Sequence, residues 1–256
     1  MASPTSAQAS PTPGKAPSAT AVERRLRALA NPARAAFVAR YFKNGPGEYG
    51  EGDRFLGLSL PQIREITRDY RTLPTAQIEA LLKSPWHEVR LLALVLLAYQ
   101  YPRADERARD AIYRLYLRNT DRINNWDLVD VSAPAVVGAH LMERSRAPLH
   151  RLAKSKSLWE RRIAIVSSHY FIAHGHFADT LRMAEVLLDD KEDLIHKAVG
   201  WMLREVGKRD EDTLVGFLER HAGAMPRTML RYSLERLSPA LRKHYMAVPR
   251  RARTNA

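Results

Sequence analysis

The chain has 256 residues, 45% of them hydrophobic and 27% charged, enough for one large domain or two small ones around a sizeable core. Its longest apolar run, Leu91 to Ala98, falls short of the ~20 residues that cross a bilayer, and the lack of cysteine excludes disulfides, thiolate metal sites and cysteine nucleophiles. The 41 Lys and Arg against 28 Asp and Glu leave a charge of +13, a surplus that favours nucleic acid or an anionic surface as partner.

From the first residue onward, 16 of the first 20 positions are Ala, Ser, Thr or Pro. Such a stretch buries too little apolar surface to offset its ordering entropy, so residues 1–22 are expected to form a disordered tail. It has neither the apolar stretch of a secretory signal nor the arginines of a mitochondrial one, which points to a cytoplasmic protein, beside the nucleoid in a bacterium. Helical spacing of apolar residues follows in Leu26–Tyr41, Ile78–Leu82, Val89–Tyr99, Ile112–Leu117, Leu158–Ile172, Leu181–Leu188 and Leu194–Val206. Pro74, Pro85, Pro102, Pro148, Gly175 and Pro226 fall at the joints, and no two-residue alternation marks a strand. An all-α domain over residues 23–246 is expected, with a basic tail at 247–256.

The helices repeat. Trp86-His-Glu-Val, Ile123-Asn-Asn-Trp, Trp159-Glu-Arg-Arg and Ile195-His-Lys-Ala begin 37, 36 and 36 residues apart, and Arg227 opens a further helix. A period of this length with two helices per unit predicts an α-solenoid of HEAT-like pairs, whose equivalent helices line one concave groove. In that register Trp126 and Arg162 are equivalent, Trp201 sits within one turn of the next equivalent, and Asp130 lies one turn after Trp126. Each tryptophan could be core and the two charges a structural ion pair, but a convergence on one face points to a site. Asp127 competes with Asp130, yet stands about 100° round the helix from Trp126.

These residues resemble a family. Asn124-Asn-Trp-Asp-Leu-Val-Asp130, Leu158-Trp-Glu-Arg-Arg-Ile-Ala-Ile165 and Ile195-His-Lys-Ala-Val-Gly-Trp-Met-Leu-Arg-Glu205 look like the AlkD-type DNA alkylation-repair glycosylases, as do Tyr41–Leu58 and Pro226–Leu237. The similarity covers roughly residues 23–246. It implies a solenoid that grips duplex DNA and excises purines alkylated at N3 or N7. It also implies that Asp130 is the catalytic carboxylate, that Trp126 and Trp201 face the sugar, and that Arg162 binds the backbone. Asn125 departs from the pattern, standing where some members carry a second Trp.

The chemistry suits the residue types. A purine alkylated at N3 or N7 is already cationic and departs neutral, leaving an oxocarbenium-like sugar that a carboxylate stabilises while orienting water. Indole faces attract the same developing charge, and Arg162 would hold a phosphate by two parallel hydrogen bonds. A shallow groove offers no pocket for an extruded base, so selectivity is expected from the charge of the lesion, with bulky adducts tolerated and neutral damage left alone. The loop Gly45–Asp53 lacks a P-loop ending but brings Lys43, Tyr49 and Arg54 near enough to meet a backbone phosphate. His169, His174 and His176 lack a carboxylate spaced to complete a metal site, so the reading is a metal-free and cofactor-free monomer acting on double-stranded DNA with alkylated bases. Two alternatives remain at this point: a non-catalytic protein of the same fold that recognises damaged or branched DNA, and a HEAT-like protein-interaction scaffold.

Overall fold

The computed structural model describes residues 17–249. Most of the expected N-terminal tail, and the basic tail from residue 250, lie outside the described residues. Among the described residues the regular elements are all helical, and the one β-type contact is an isolated bridge between Arg54 and Trp86.

Folding starts earlier than residue 23. Ser18 caps α1 (Ala19–Ala28) by accepting from the Ala21 N–H, and Val22 and Leu26 of that helix are fully buried. The single apolar run expected over Leu26–Tyr41 is two helices. Asn31 breaks it: its side chain caps α2 (Pro32–Tyr41), with Pro32 in the first turn where a missing N–H costs nothing. Ser59 and Gln62 form a reciprocal capping box for α3 (Leu60–Thr67), again with a proline at the start.

From α4 onward the chain is a stack of helix pairs. First helices α4 (Thr75–Leu82), α6 (Glu106–Arg118), α9 (Ala147–Leu152), α11 (Ala178–Val186) and α13 (Glu211–His221) alternate with second helices α5 (His87–Gln100), α7 (Trp126–Ala133), α10 (Leu158–Ala173), α12 (Asp193–Gly207) and α14 (Arg227–Ser233). The second helices pack in series, α5 on α7, α7 on α10, α10 on α12 and α12 on α14, which is the arrangement of an all-α solenoid. They start within three residues of the repeat positions read from the sequence. The core they share is continuous, from Leu92 and Leu94 through Val129 and Ile163 to Met202 and Met229, all fully buried.

Close approach between these helices depends on glycine. A Cβ on Gly138 would come within 2.3 Å of the Ser167 carbonyl oxygen, and one on Gly200 within 2.6 Å of the Met229 carbonyl oxygen. Larger residues there would push α10 from α7 and α14 from α12. Pro134 does not end α7; the chain continues through one widened turn, Pro134–Gly138, into α8 (Ala139–Leu141). The helix α15 (Pro239–Ala247) closes the stack by burying Tyr245.

Candidate nucleic-acid interface

The second helices place their chemistry-bearing residues on one groove of about 560 Å³. Trp126, Asp130, Arg162 and Trp201 all line it, together with Tyr41, Lys43, Tyr49, Lys197 and Arg204. The local reasons are simple. Asn125, fully buried, caps α7 with its side-chain oxygen on the Trp126 N–H, so Trp126 is the first helical residue and Asp130 stands one turn above it. The residue that departs from the family pattern thus has a structural task. Ser157 caps α10 by accepting from the Glu160 N–H, setting Arg162 in its second turn.

Asp130 and Arg162 form a two-pronged ion pair. Arg162 donates from Nε to Oδ1 at 2.9 Å, from Nη2 to Oδ2 at 2.8 Å, and from Nη1 to the Leu194 carbonyl at 2.7 Å. The fork expected on a phosphate is engaged here with Asp130. Three of its five N–H groups are committed, so it cannot present the same two-pronged edge to a phosphate without releasing Asp130. The structural ion pair and the site are one feature. Burial pushes the Asp130 carboxyl above the ordinary aspartate range, and Arg162 pulls it back. Each Asp130 oxygen still keeps lone-pair capacity, and the side chain is 21% exposed to the groove.

One turn away, Asp127 faces elsewhere. Its Oδ2 accepts from His87 Nε2 at 2.8 Å, while His87 Nδ1 donates to Asp53 Oδ2 at 3.3 Å. Arg90 completes the cluster with a 2.6 Å bond to Asp53 and a 3.2 Å bond to Asn124. Burial alone would lower His87, but the two carboxylates raise it to about 9, so it bridges them as a cation. Beside it, buried Glu88 accepts from the backbone N–H groups of Leu56, Gly57 and Leu58. Together these groups fasten the residue 44–58 segment to α5 and α7. The Trp86-His-Glu-Val repeat mark contained both residues, but spacing alone does not reveal their partners.

The glycine-rich loop splits the three residues expected on a phosphate. Lys43 and Tyr49 line the groove, but Arg54 does not; it is exposed, and its backbone is bridged to the start of α5. Tyr49 packs edge-on against Trp159 at 5.9 Å. An aromatic wall escaped the sequence reading: Tyr41, whose ring meets Trp126 at 6.0 Å. Phe42 stacks on Trp126 at 5.2 Å from the other side.

A second cavity also departs from expectation. Behind Trp126 and Tyr41 lies a largely apolar space of about 370 Å³, bounded by Phe37, Val38, Phe42, Leu58 and Leu91. The helices therefore leave more than a shallow groove. Most polar groups on its wall, His87, Glu88 and Asp127, are already bonded as described, which leaves the edge of a purine short of partners there. Among the described residues no group of three or more His, Asp or Glu is arranged to hold a metal ion. No described helix is long and apolar enough to cross a membrane.

Fold and site together define an all-α solenoid with an aromatic groove of mixed charge built around a half-buried carboxylate. The family model for DNA alkylation repair enzymes matches residues 22–237, and the chain belongs to that family. Its role accordingly lies in the repair of alkylated DNA. Among solved structures, a predicted DNA alkylation repair enzyme from Enterococcus faecalis superposes with a TM-score of 0.65 at 18% identity, covering 82% of this chain and 97% of that one; a likeness at that identity concerns the fold. No curated protein matches the chain.

Proposed function

We propose that this protein is a DNA glycosylase that hydrolyses the N-glycosidic bond of N3- or N7-alkylated purines in duplex DNA. The observation that carries the reading is the Asp130 carboxylate, locked in orientation by Arg162 and flanked in one groove by Trp126 and Trp201. An alkylated purine needs no proton to leave, so the groove has only to stabilise the cationic sugar left behind. Asp130 supplies the anion and holds the attacking water on its free lone pairs. The tryptophan faces add attraction worth roughly 0.5–2 kcal/mol each. Arg162 fixes the carboxylate and keeps two N–H groups for a phosphate, and Lys43 lines the same groove, whereas Lys197 there is paired with Asp193 at 2.8 Å.

The base itself needs no recognition pocket in this scheme, because its own charge makes it a good leaving group. The test is incubation of the protein with methylated duplex DNA beside Asp130→Asn, scoring free purine. Release by the wild type and none by the variant, with DNA binding kept in both, supports the reading. DNA binding without release by the wild type would favour a non-catalytic damage binder, and no salt-sensitive DNA binding would favour a protein scaffold.

A further inference from the structure

Trp126 stands between two spaces. It lines the groove on one side and the apolar cavity of about 370 Å³ on the other, so an indole that serves the groove has room to fall back from it. What stands in the way is Phe42, which lines the cavity but not the groove. Its ring is stacked on the indole at 5.2 Å and 24°, and Phe55 is stacked on Phe42 in turn at 5.4 Å and 14°. His87 closes the pile from the side, 5.0 Å from Phe42 and 4.9 Å from Phe55. Phe42 and Phe55 are buried, yet neither belongs to the continuous core of the solenoid; their ring contacts are with the indole, His87 and each other. The backbone fixes Phe42 as well. No residue within α2 is buried, and Phe42, its C-cap, is. Lys43 follows in the left-handed conformation at φ 50°, and the Lys43 and Asn44 N–H groups close back on the Arg40 and Ala39 carbonyls, both at 3.1 Å. That conformation favours glycine, so this helix end is held at a local cost. Gly50 presses on the same point: a Cβ there would come within 2.5 Å of the Phe42 carbonyl oxygen.

We propose that Phe42 is a positioning residue of the site, the support that keeps the Trp126 indole turned to the groove. The inference deepens the glycosylase reading and rests on it. Phe42 covers one face of the indole and leaves the other for a sugar that turns cationic, and that attraction holds only while the cation lies over the face of the ring. An aliphatic side chain of similar bulk would fill the place of Phe42 without offering a flat surface, and the neighbouring cavity would then let the indole tilt away. Phe42 stays behind the indole and out of the groove, so it acts only through Trp126.

Single-turnover release of N7-methylguanine from duplex DNA by the full chain tests this through a double-mutant cycle. Phe42→Leu and Phe42→Met are expected to slow release roughly two- to tenfold, the range of one aromatic stacking contact, with duplex affinity within about twofold of wild type. In a Trp126→Ala background the same substitutions should cost nothing more, because the ring they misplace is gone. Phe42→Tyr, which keeps the flat face, should stay near the wild-type rate. Equal slowing in both backgrounds, or a wild-type rate for Phe42→Leu, would overturn the assignment of Phe42 and leave the glycosylase reading intact. No release by the wild type would instead overturn that reading and this inference with it.

Discussion

Two half-buried, ion-paired carboxylates sit three residues apart on α7 and serve different ends. Asp127 points into a closed cluster, where His87, Asp53, Arg90 and Asn124 consume one another's hydrogen bonds. Asp130 points to the groove, where one arginine holds it from behind and its outer face stays open. The first arrangement is structural, since Asp127 holds the His87 cation that ties α5, α7 and the residue 44–58 segment together. The second keeps a charged group rigid and still available, which is what electrostatic stabilisation of a developing cation demands. Being paired does not by itself distinguish the two roles; what each carboxylate faces does, an apolar cavity beside Asp127 and the groove with Trp126 and Trp201 beside Asp130.

The largest expected effect separates the two aspartates. Asp130→Asn should lower purine release by about 10²–10³-fold, the scale of losing one preorganised electrostatic group, with duplex affinity kept. Asp127→Asn should leave the rate within about tenfold of wild type and lower the melting temperature instead, because His87 loses a partner in a buried cluster. The reverse pattern in single-turnover assays and thermal melts would exchange the two roles.

Arg162→Gln comes next. It leaves Asp130 buried without its cation, so the carboxyl rises further and the acid limb of the rate profile should move to higher pH. In the wild type that limb already lies above the ordinary aspartate range, because burial raises Asp130 and activity requires its ionised form. A pH–rate profile for both proteins checks the sign; an unmoved limb would separate Arg162 from the titration of Asp130. Trp126→Phe and Trp201→Phe should each slow release only a few-fold, as expected from roughly 0.5–2 kcal/mol of cation attraction.

The smallest effect belongs to the closed cluster. His87 is raised from 6.5 to about 9, so its contribution to stability is complete below about pH 6.5 and disappears as the pH climbs through 9. The melting temperature should fall over that window, and His87→Gln should flatten the fall. A wild-type profile with no slope there would mean that His87 is not the cation binding Asp53 to Asp127.

Much of this architecture is legible in the sequence. The repeat of Trp86, Ile123, Trp159 and Ile195 carries the register of the second helices, and register is enough to put Trp126, Asp130, Arg162 and Trp201 on one groove. Periodicity reports a face, however, and not a bonding partner. It could not say that the Arg162 fork would turn to Asp130, nor that His87 would bridge two aspartates from different segments. The loop Gly45–Asp53 has no period at all, so Lys43, Tyr49 and Arg54 could be treated only together, and the fold separates Arg54 from the other two. The break at Asn31 was legible in principle, since Asn followed by Pro is a helix start, but the apolar spacing across it masked the signal.

The central claim is that the positive charge already carried by the base, and not a pocket that reads it, drives release. The direct measurement compares the wild type on duplexes containing N7-methylguanine or uracil, under one set of single-turnover conditions. The account predicts ready release of the cationic purine and no detectable release of uracil. Efficient uracil excision would contradict it, because a neutral base would then be leaving with help that this groove is not built to supply.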